Sequence, residues 1–270
     1  MSAFFVCFLQ IMLYTLGVTV ACGLAVELCY QLCFSLMGRR TTRTLWLVTG
    51  WLGTPIHELG HALMCLLFAH RIERIRLWPT RESNAMVEHS YNRRNPYASF
   101  GNVWIALGPI FAGLGVILLV LSLVYPDTLS RMGQSLSLAM QGGESFSFLD
   151  EVGTWIHGLW NEQTRGIGWR ILAVGMMLST ALHVRLSLAD VKGMITGLPI
   201  YAAVAAVVAA VAAIMGEGVR TALTVALQRL SWMIVLLFAL IMIFALVLLA
   251  LLLAFRLAVG LFTFFFGRRR

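Results

Sequence analysis

The sequence predicts an all-α polytopic membrane protein of about six transmembrane helices, with a small β-like loop between two of them. Composition and the grouping of apolar residues both support this class. Of the 270 residues, 60% are hydrophobic and only 12% are charged, and the mean hydropathy is +0.85. A soluble domain is about half apolar and about a quarter charged. The apolar residues also form blocks of the roughly 20 residues that a membrane-spanning helix needs.

The predicted spans lie at about residues 3–37, 44–69, 101–125, 168–189, 198–216 and 230–266. The second span contains Gly53-Thr54-Pro55. Because Thr54 suits an N-cap and Pro55 suits a first helical position, we expect a helix to restart at Pro55. The chain is predicted to divide into an N-terminal helix (1–43), a core of three transmembrane helices (44–195) and a C-terminal pair of helices (196–270).

Two polar loops interrupt the core. In residues 70–100, the segment 85–91 has strand character and Asn95-Pro96 signals a turn, which predicts a small β-hairpin or loop. Residues 126–167 are predicted to form a polar loop with an amphipathic portion near 146–160. The first loop has six arginines against three glutamates, and the second has two arginines against five acidic residues. The positive-inside rule therefore places the first loop in the cytoplasm and the second outside.

The charge distribution argues against a nucleic-acid-binding protein, and the cysteines argue against a disulfide framework. The net charge of +8 arises from arginines and one lysine at helix ends and in short loops, so it does not indicate nucleic-acid binding. Arg268-Arg269-Arg270 is interpreted as a cytoplasmic anchor, whereas Arg39, Arg40 and Arg43 fall outside and depart from the rule. The five cysteines are interpreted as small buried hydrophobic residues, because they all lie in apolar segments and their number is odd.

The chemistry is expected at His57-Glu58-Leu59-Gly60-His61. Two histidines four residues apart project from one face of a helix, about one turn from each other. Two imidazoles at that spacing can bind one Zn²⁺, and Glu58 beside them can act as general base on a zinc-bound water. Because ionisable side chains inside a membrane span are costly to desolvate, they are functional by default.

A catalytic zinc takes three protein ligands and a water, so the pair of histidines needs a third partner. Asp190 is the preferred candidate, at the predicted cytoplasmic end of the fourth span. His183 is the competitor, two helical turns earlier on a similar face. His70 and His89 lie in the polar segment after the motif and are expected to be solvated.

The chain resembles the site-2 protease family of intramembrane zinc metalloproteases, and above all its compact bacterial branch. The resemblance covers roughly residues 44–195 and is strongest at Gly53-Thr54-Pro55-Ile56-His57-Glu58-Leu59-Gly60-His61-Ala62. It implies that His57 and His61 are zinc ligands, that Glu58 is the base and that Asp190 is the third ligand. The family motif around that aspartate is usually Asp-Gly preceded by Asn-Pro. Here the sequence is Asp190-Val191-Lys192-Gly193, with no Asn-Pro before it.

The resemblance implies a zinc metalloendopeptidase that cleaves membrane-protein or peptide substrates. We expect it in the lipid bilayer of a bacterial cytoplasmic membrane, with its active site toward the cytoplasm, and we expect no nucleic-acid partner. The segment 85–91 could bind an unwound substrate as an added strand. Two alternatives remain: a catalytically idle family member that regulates a partner membrane protein, and a zinc-binding transporter. The spans after the fourth carry few charged residues, which disfavours a transport pathway through them.

Overall fold

The computed structural model describes residues 2–36, 39–79, 84–141 and 147–266. Its backbone is almost entirely helical, apart from one two-stranded sheet. In chain order the elements are α1 (Ala3–Met12), a π-helical turn (Leu13–Gly17), α2 (Val18–Leu36), α3 (Arg39–Leu67), β1 (Arg71–Arg76), β2 (Met86–Ser90), α4 (Pro96–Val124), α5 (Pro126–Gln141), α6 (Phe148–Asn161), α7 (Ile167–His183), α8 (Leu188–Met215) and α9 (Glu217–Phe266).

Four segments of the described chain are long and apolar enough to cross a membrane: Ala3–Leu36, Pro96–Val124, Leu188–Met215 and Glu217–Val247. Helix α7 is apolar but shorter, and α3, which carries the histidine motif, is not among the four. Large apolar side chains such as Leu28, Val48 and Ile214 are exposed on the outer faces, as lipid contact requires. The predicted class of polytopic all-α membrane protein is confirmed.

Helix α4 lies at the centre and packs against α3, α7 and α8. Asn95 caps its first turn by accepting hydrogen bonds from the amides of Tyr97 and Ala98, and Pro96 occupies the first helical position. Every position between Ala98 and Ile110 is buried or half-buried, whereas Phe111, Leu119 and Leu123 are exposed along one face of the second half. Because the first half of this apolar helix is buried among other helices, it is the scaffold against which the motif helix is held.

An ion pair connects the N-terminal span to the segment between α7 and α8. A guanidinium nitrogen of Arg185 lies 3.2 Å from a carboxylate oxygen of Glu27 in α2. The Arg185 guanidinium also stacks over the Trp46 ring of α3, 4.7 Å from its centroid. Arg185 thus connects α2, α3 and the residues that lead into α8.

Two predicted helix boundaries differ from the structure. Helix α3 does not restart at Pro55 but runs through it. A proline removes the hydrogen bond to the carbonyl four residues earlier, which here is that of Trp51. The indole N–H of Trp78 donates to this carbonyl at 2.9 Å, so the freed group is satisfied without breaking the helix.

The second difference concerns the fourth predicted span, which ends early. Helix α7 stops at His183, and Asp190 lies in the first turn of α8 instead of at the end of a span. Ser187 caps α8 and sets this new start. The predicted division into three units stays a prediction, although its boundary after residue 195 falls inside α8.

The two segments predicted as polar loops both contain regular secondary structure. Strands β1 and β2 pair antiparallel, with Arg71 opposite Ser90 and Arg76 opposite Met86, so the predicted hairpin is present. The segment 126–167 contains the helices α5 and α6. The Glu162 carboxylate, just after α6, accepts hydrogen bonds from the amides of Asp127 and Thr128 and thereby caps α5.

Candidate metal centre

His57, His61 and Asp190 come together, with one possible ligand atom from each within 4.8 Å of the others. The two imidazole rings lie 4.9 Å apart between centroids, because residues four apart share one face of α3. The nearer oxygen of Asp190 is 3.2 Å from Nε2 of His61. Tetrahedral ligands about 2.0–2.1 Å from a zinc ion would be about 3.3 Å from each other. The separation and the donor types therefore fit zinc.

Each histidine is oriented by a backbone carbonyl. Nδ1 of His57 lies 2.8 Å from the carbonyl oxygen of His183, and Nδ1 of His61 lies 2.8 Å from that of Ile105. Because a carbonyl can only accept, Nδ1 must carry the proton in both rings. Nε2 of each ring then has a free lone pair, which is the arrangement seen when an outer hydrogen bond fixes the tautomer of a metal ligand.

The carbonyl of Ile105 is free to serve this role because of Pro109. In an α-helix it would accept the amide of residue 109, but proline has no N–H. The same region of α4 also allows α3 to approach closely. A side chain at Gly60 would place its Cβ 2.6 Å from the carbonyl oxygen of Gly108. The Gly108-Pro109 pair thus admits α3 and supplies the acceptor for His61.

Asp190 is held by the start of α8. Its Oδ2 accepts the amide of Ser187 at 2.9 Å, while the Ser187 hydroxyl oxygen accepts the amide of Asp190 at 3.1 Å. This reciprocal capping box fixes one carboxylate oxygen and leaves the other facing His61. The partial positive charge of a helix N-terminus also favours the ionised carboxylate.

His183 contributes its backbone and not its ring. Its imidazole packs against Gly53 and edge-on to Trp46, where Nδ1 lies 2.9 Å from the carbonyl of Ser179. Any Cβ at Gly53 would overlap this ring. His183 is therefore absent from the cluster of described residues that contains His57, His61 and Asp190.

The three side chains line a cleft of about 300 Å³ that also contains Glu58. Glu58 is only 8% exposed. Further parts of the wall are Met86 and Val87 of β2 and the start of α8. The cleft therefore places an acid–base group next to a metal-type ligand set and beside the edge of the hairpin.

Asn102 of α4 is a cleft residue that the sequence did not single out. Its side-chain nitrogen has no hydrogen-bond partner among the described residues, and the residue is 5% exposed. A buried amide donor without a partner is costly, so such groups merit a functional explanation. The available sequence signal was a lone polar amide in an otherwise apolar span.

The expectation that His70 and His89 are solvated is wrong for His70, which is 5% exposed, and only partly right for His89. The positive φ of Ala69 and the return of the chain into β1 turn His70 inward. The Nδ1 atoms of the two rings are 2.9 Å apart. Burial lowers the pKa of His89, and the imidazoles of His70 and His61 lower it further.

The sequence of this region matches a known family. Residues 26–140 match the family model described as Peptidase M50B-like, which is the site-2 protease family of intramembrane metalloproteases.

Residues 26–140 are thus similar to the Peptidase M50B-like family.

This match confirms the resemblance drawn from the motif, and it covers His57, Glu58 and His61. Asp190 lies beyond the matched residues, so its place in the site rests on the geometry alone. The M50 family consists of zinc metalloproteases, and its match supports a peptidase embedded in a membrane. No curated protein and no solved structure matches the chain.

Proposed function

We propose that this chain is an intramembrane zinc metalloendopeptidase that hydrolyses peptide bonds of membrane-protein substrates. The main support is the convergence of His57, His61 and Asp190 in one cleft with Glu58. These residues come from two helices that are far apart in sequence. A half-buried group of this composition in a membrane protein is a functional site by default, and the M50B-like match supports a peptidase.

Zinc held by His57, His61 and Asp190 would supply a Lewis acid that polarises the substrate carbonyl and acidifies a water molecule. Glu58 has the proton-transfer role. Its carboxylate takes the proton from the attacking water and delivers it to the leaving amide nitrogen as the peptide bond breaks. Its low exposure keeps bulk water from competing for that proton.

Asn102 is proposed to bind the substrate. Its amide N–H groups have no acceptor in the described chain and lie in the wall of the cleft. A substrate carbonyl oxygen would provide that acceptor and would gain negative charge during attack. A donor already fixed by α4 stabilises this charge without reorganising.

Strand β2 is proposed to hold the substrate backbone. A substrate helix must unwind before hydrolysis, because its carbonyls are all paired within the helix. In the described two-stranded sheet, β2 pairs with β1 on one edge only, and its Met86 and Val87 line the cleft. An unwound segment can add to the other edge through main-chain hydrogen bonds.

The test uses the full chain in proteoliposomes with a panel of single-span membrane proteins tagged at both ends. Wild-type protein should separate the tags of at least one substrate, and Glu58→Gln should abolish cleavage while zinc content is unchanged. Glu73→Gln, on the exposed face of β1, is the matched control. Cleavage that persists in Glu58→Gln would overturn the proposal. Zinc uptake into the same vesicles without any cleavage would replace it with a transporter.

A further inference from the structure

A second group of metal-ligand side chains lies one turn beyond the motif. Cys65, His70 and His89 each offer a ligand atom within 4.8 Å of the others. Cys65 follows His61 by four residues, so it continues the stripe of α3 that carries His57 and His61. Its side chain is 0% exposed. The three residues come from the end of α3, the turn after it and β2.

His70 is oriented in the same manner as the histidines of the first site. Its Nε2 lies 2.8 Å from the carbonyl oxygen of Ala98, so Nε2 carries the proton and the lone pair of Nδ1 points to the cluster. The Tyr91 ring stacks on the imidazole with the centroids 4.6 Å apart. The ring is thus fixed on its edge and on its face.

The backbone is also bent to bring His70 to this place. Ala69 has a φ of +57°, a left-handed conformation that residues other than glycine rarely adopt. It turns the chain back over the helix end, where the His70 amide donates to the Cys65 carbonyl at 2.9 Å. This is the Schellman ending of a helix, with Ala69 in the left-handed position, and it fixes where His70 lies relative to Cys65.

We propose that Cys65, His70 and His89 form a second metal site, which binds zinc or a similar borderline transition-metal ion. Thiolate and imidazole are both zinc ligands, and three protein ligands leave a fourth position for water. A set of two imidazoles and one thiolate is also known to bind copper. The two Nδ1 atoms are 2.9 Å apart. They would need to move only slightly to reach the distance of about 3.3 Å between two tetrahedral zinc ligands. The alternative that explains the same contact is a hydrogen bond from His89 to His70.

The bound ion would attach β2 to the end of α3. His89 itself lines the cleft, next to Met86 and Val87. Metal binding at a site absent from the unfolded chain stabilises the folded arrangement, here the hairpin that forms one wall of the cleft. The second ion therefore has a positioning role and takes no part in proton transfer. This proposal does not depend on the chain being a protease.

Cobalt substitution distinguishes the two sites, because only the second contains sulfur. The purified full chain is loaded with Co²⁺, and the cobalt–thiolate charge-transfer absorption is recorded. Wild type and the His57→Ala/His61→Ala double variant should both show the band, and Cys65→Ser should lose it. Cys33→Ser, another fully buried cysteine, is the matched control and should keep the band. His89→Ala, at a half-buried position, tests the site with less risk to folding and should weaken cobalt binding.

Zinc content gives a second measurement. Zinc-replete wild type should hold about two ions per chain, and Cys65→Ser and the His57→Ala/His61→Ala variant should each hold about one. A wild type without the thiolate band, or a Cys65→Ser variant that keeps it, would overturn the proposal and leave the His70–His89 hydrogen bond. Loss of the first site alone would appear as a normal thiolate band with reduced zinc content.

Discussion

At the proposed centre, one helix positions both histidines, whereas the carboxylate comes from a second helix that packs nearby. His57, Glu58 and His61 were predictable because their relation is local: a helix fixes the geometry of residues four apart. Asp190 comes from another helix, and its proximity to His61 depends on how α8 is placed. The sequence offered two candidates for this position, and only packing separates them.

Replacing Asp190 and His183 separately tests the third ligand. Asp190→Asn keeps an oxygen for the Ser187 amide but loses the ionised ligand, so zinc binding at the first site should weaken by about 100-fold or more. His183→Ala should keep zinc, because the bond to His57 comes from its backbone. The measurement is competitive zinc titration in detergent in a Cys65→Ser background.

The matched control for Asp190→Asn is Asp127→Asn, which changes an exposed aspartate in the first turn of α5. It should bind zinc as wild type does. Equal zinc affinity in Asp190→Asn and wild type would exclude Asp190 as a ligand.

Asn102 shows why some site residues escape sequence reasoning. An asparagine in an apolar helix can bond to a neighbouring helix, and only the structure shows that its side-chain nitrogen has no partner. Asn102→Leu keeps the approximate shape but removes the donor. We expect kcat/KM for a cleaved substrate to fall by about 100-fold, with zinc content unchanged. An unchanged kcat/KM would contradict the role proposed for this amide.

At the scale of elements, most helices were predictable and their ends were less so. The apolar blocks predicted six spans, and four described segments are long and apolar enough to cross a membrane. The helix start expected at Pro55 and the end of the fourth span were misplaced. In the first case the reason is a tertiary contact, because the indole N–H of Trp78 donates to the carbonyl that Pro55 leaves without a partner. In the second it is local, because Ser187 and Asp190 have the spacing of a capping box that starts α8.

The contact between α3 and α4 depends on the absence of a side chain at Gly60. Gly60→Ala would put a Cβ against the carbonyl of Gly108 and push the helices apart, destabilising the fold by about 1–3 kcal/mol. The His61 bond to Ile105 should weaken with it. Thermal unfolding and zinc affinity in detergent measure the two effects.

Gly115, also in α4, is the control for Gly60. A Cβ there meets no atom of the described residues within 4 Å. Gly115→Ala should therefore leave the unfolding temperature and the zinc affinity as they are in wild type, or slightly raise the unfolding temperature. If both alanine variants behave alike, helix propensity and not the close contact determines the outcome.

For the whole molecule, composition was sufficient to predict the membrane class but not the arrangement of helices. In water, the polar face of a helix marks its outer side. In a bilayer the outer side is apolar as well, so α4 and α8 are similar in composition although α4 is central and α8 exposes Val207 and Ile214. Only the charged residues outside the spans indicate how the protein is oriented in the membrane, and they indicate it for the whole molecule and not for single helices.

The loop charges predict that the β1–β2 hairpin and the cleft face the cytoplasm, with α5 and α6 on the other side. Single cysteines at exposed positions test this: Arg94→Cys after the hairpin and Gln163→Cys after α6. In intact cells a membrane-impermeant maleimide should label Gln163→Cys, and Arg94→Cys should react only after lysis. The native cysteines are buried or half-buried, so wild type gives the background. The reverse pattern would place the cleft outside, where only substrate segments at the outer membrane face could reach Glu58.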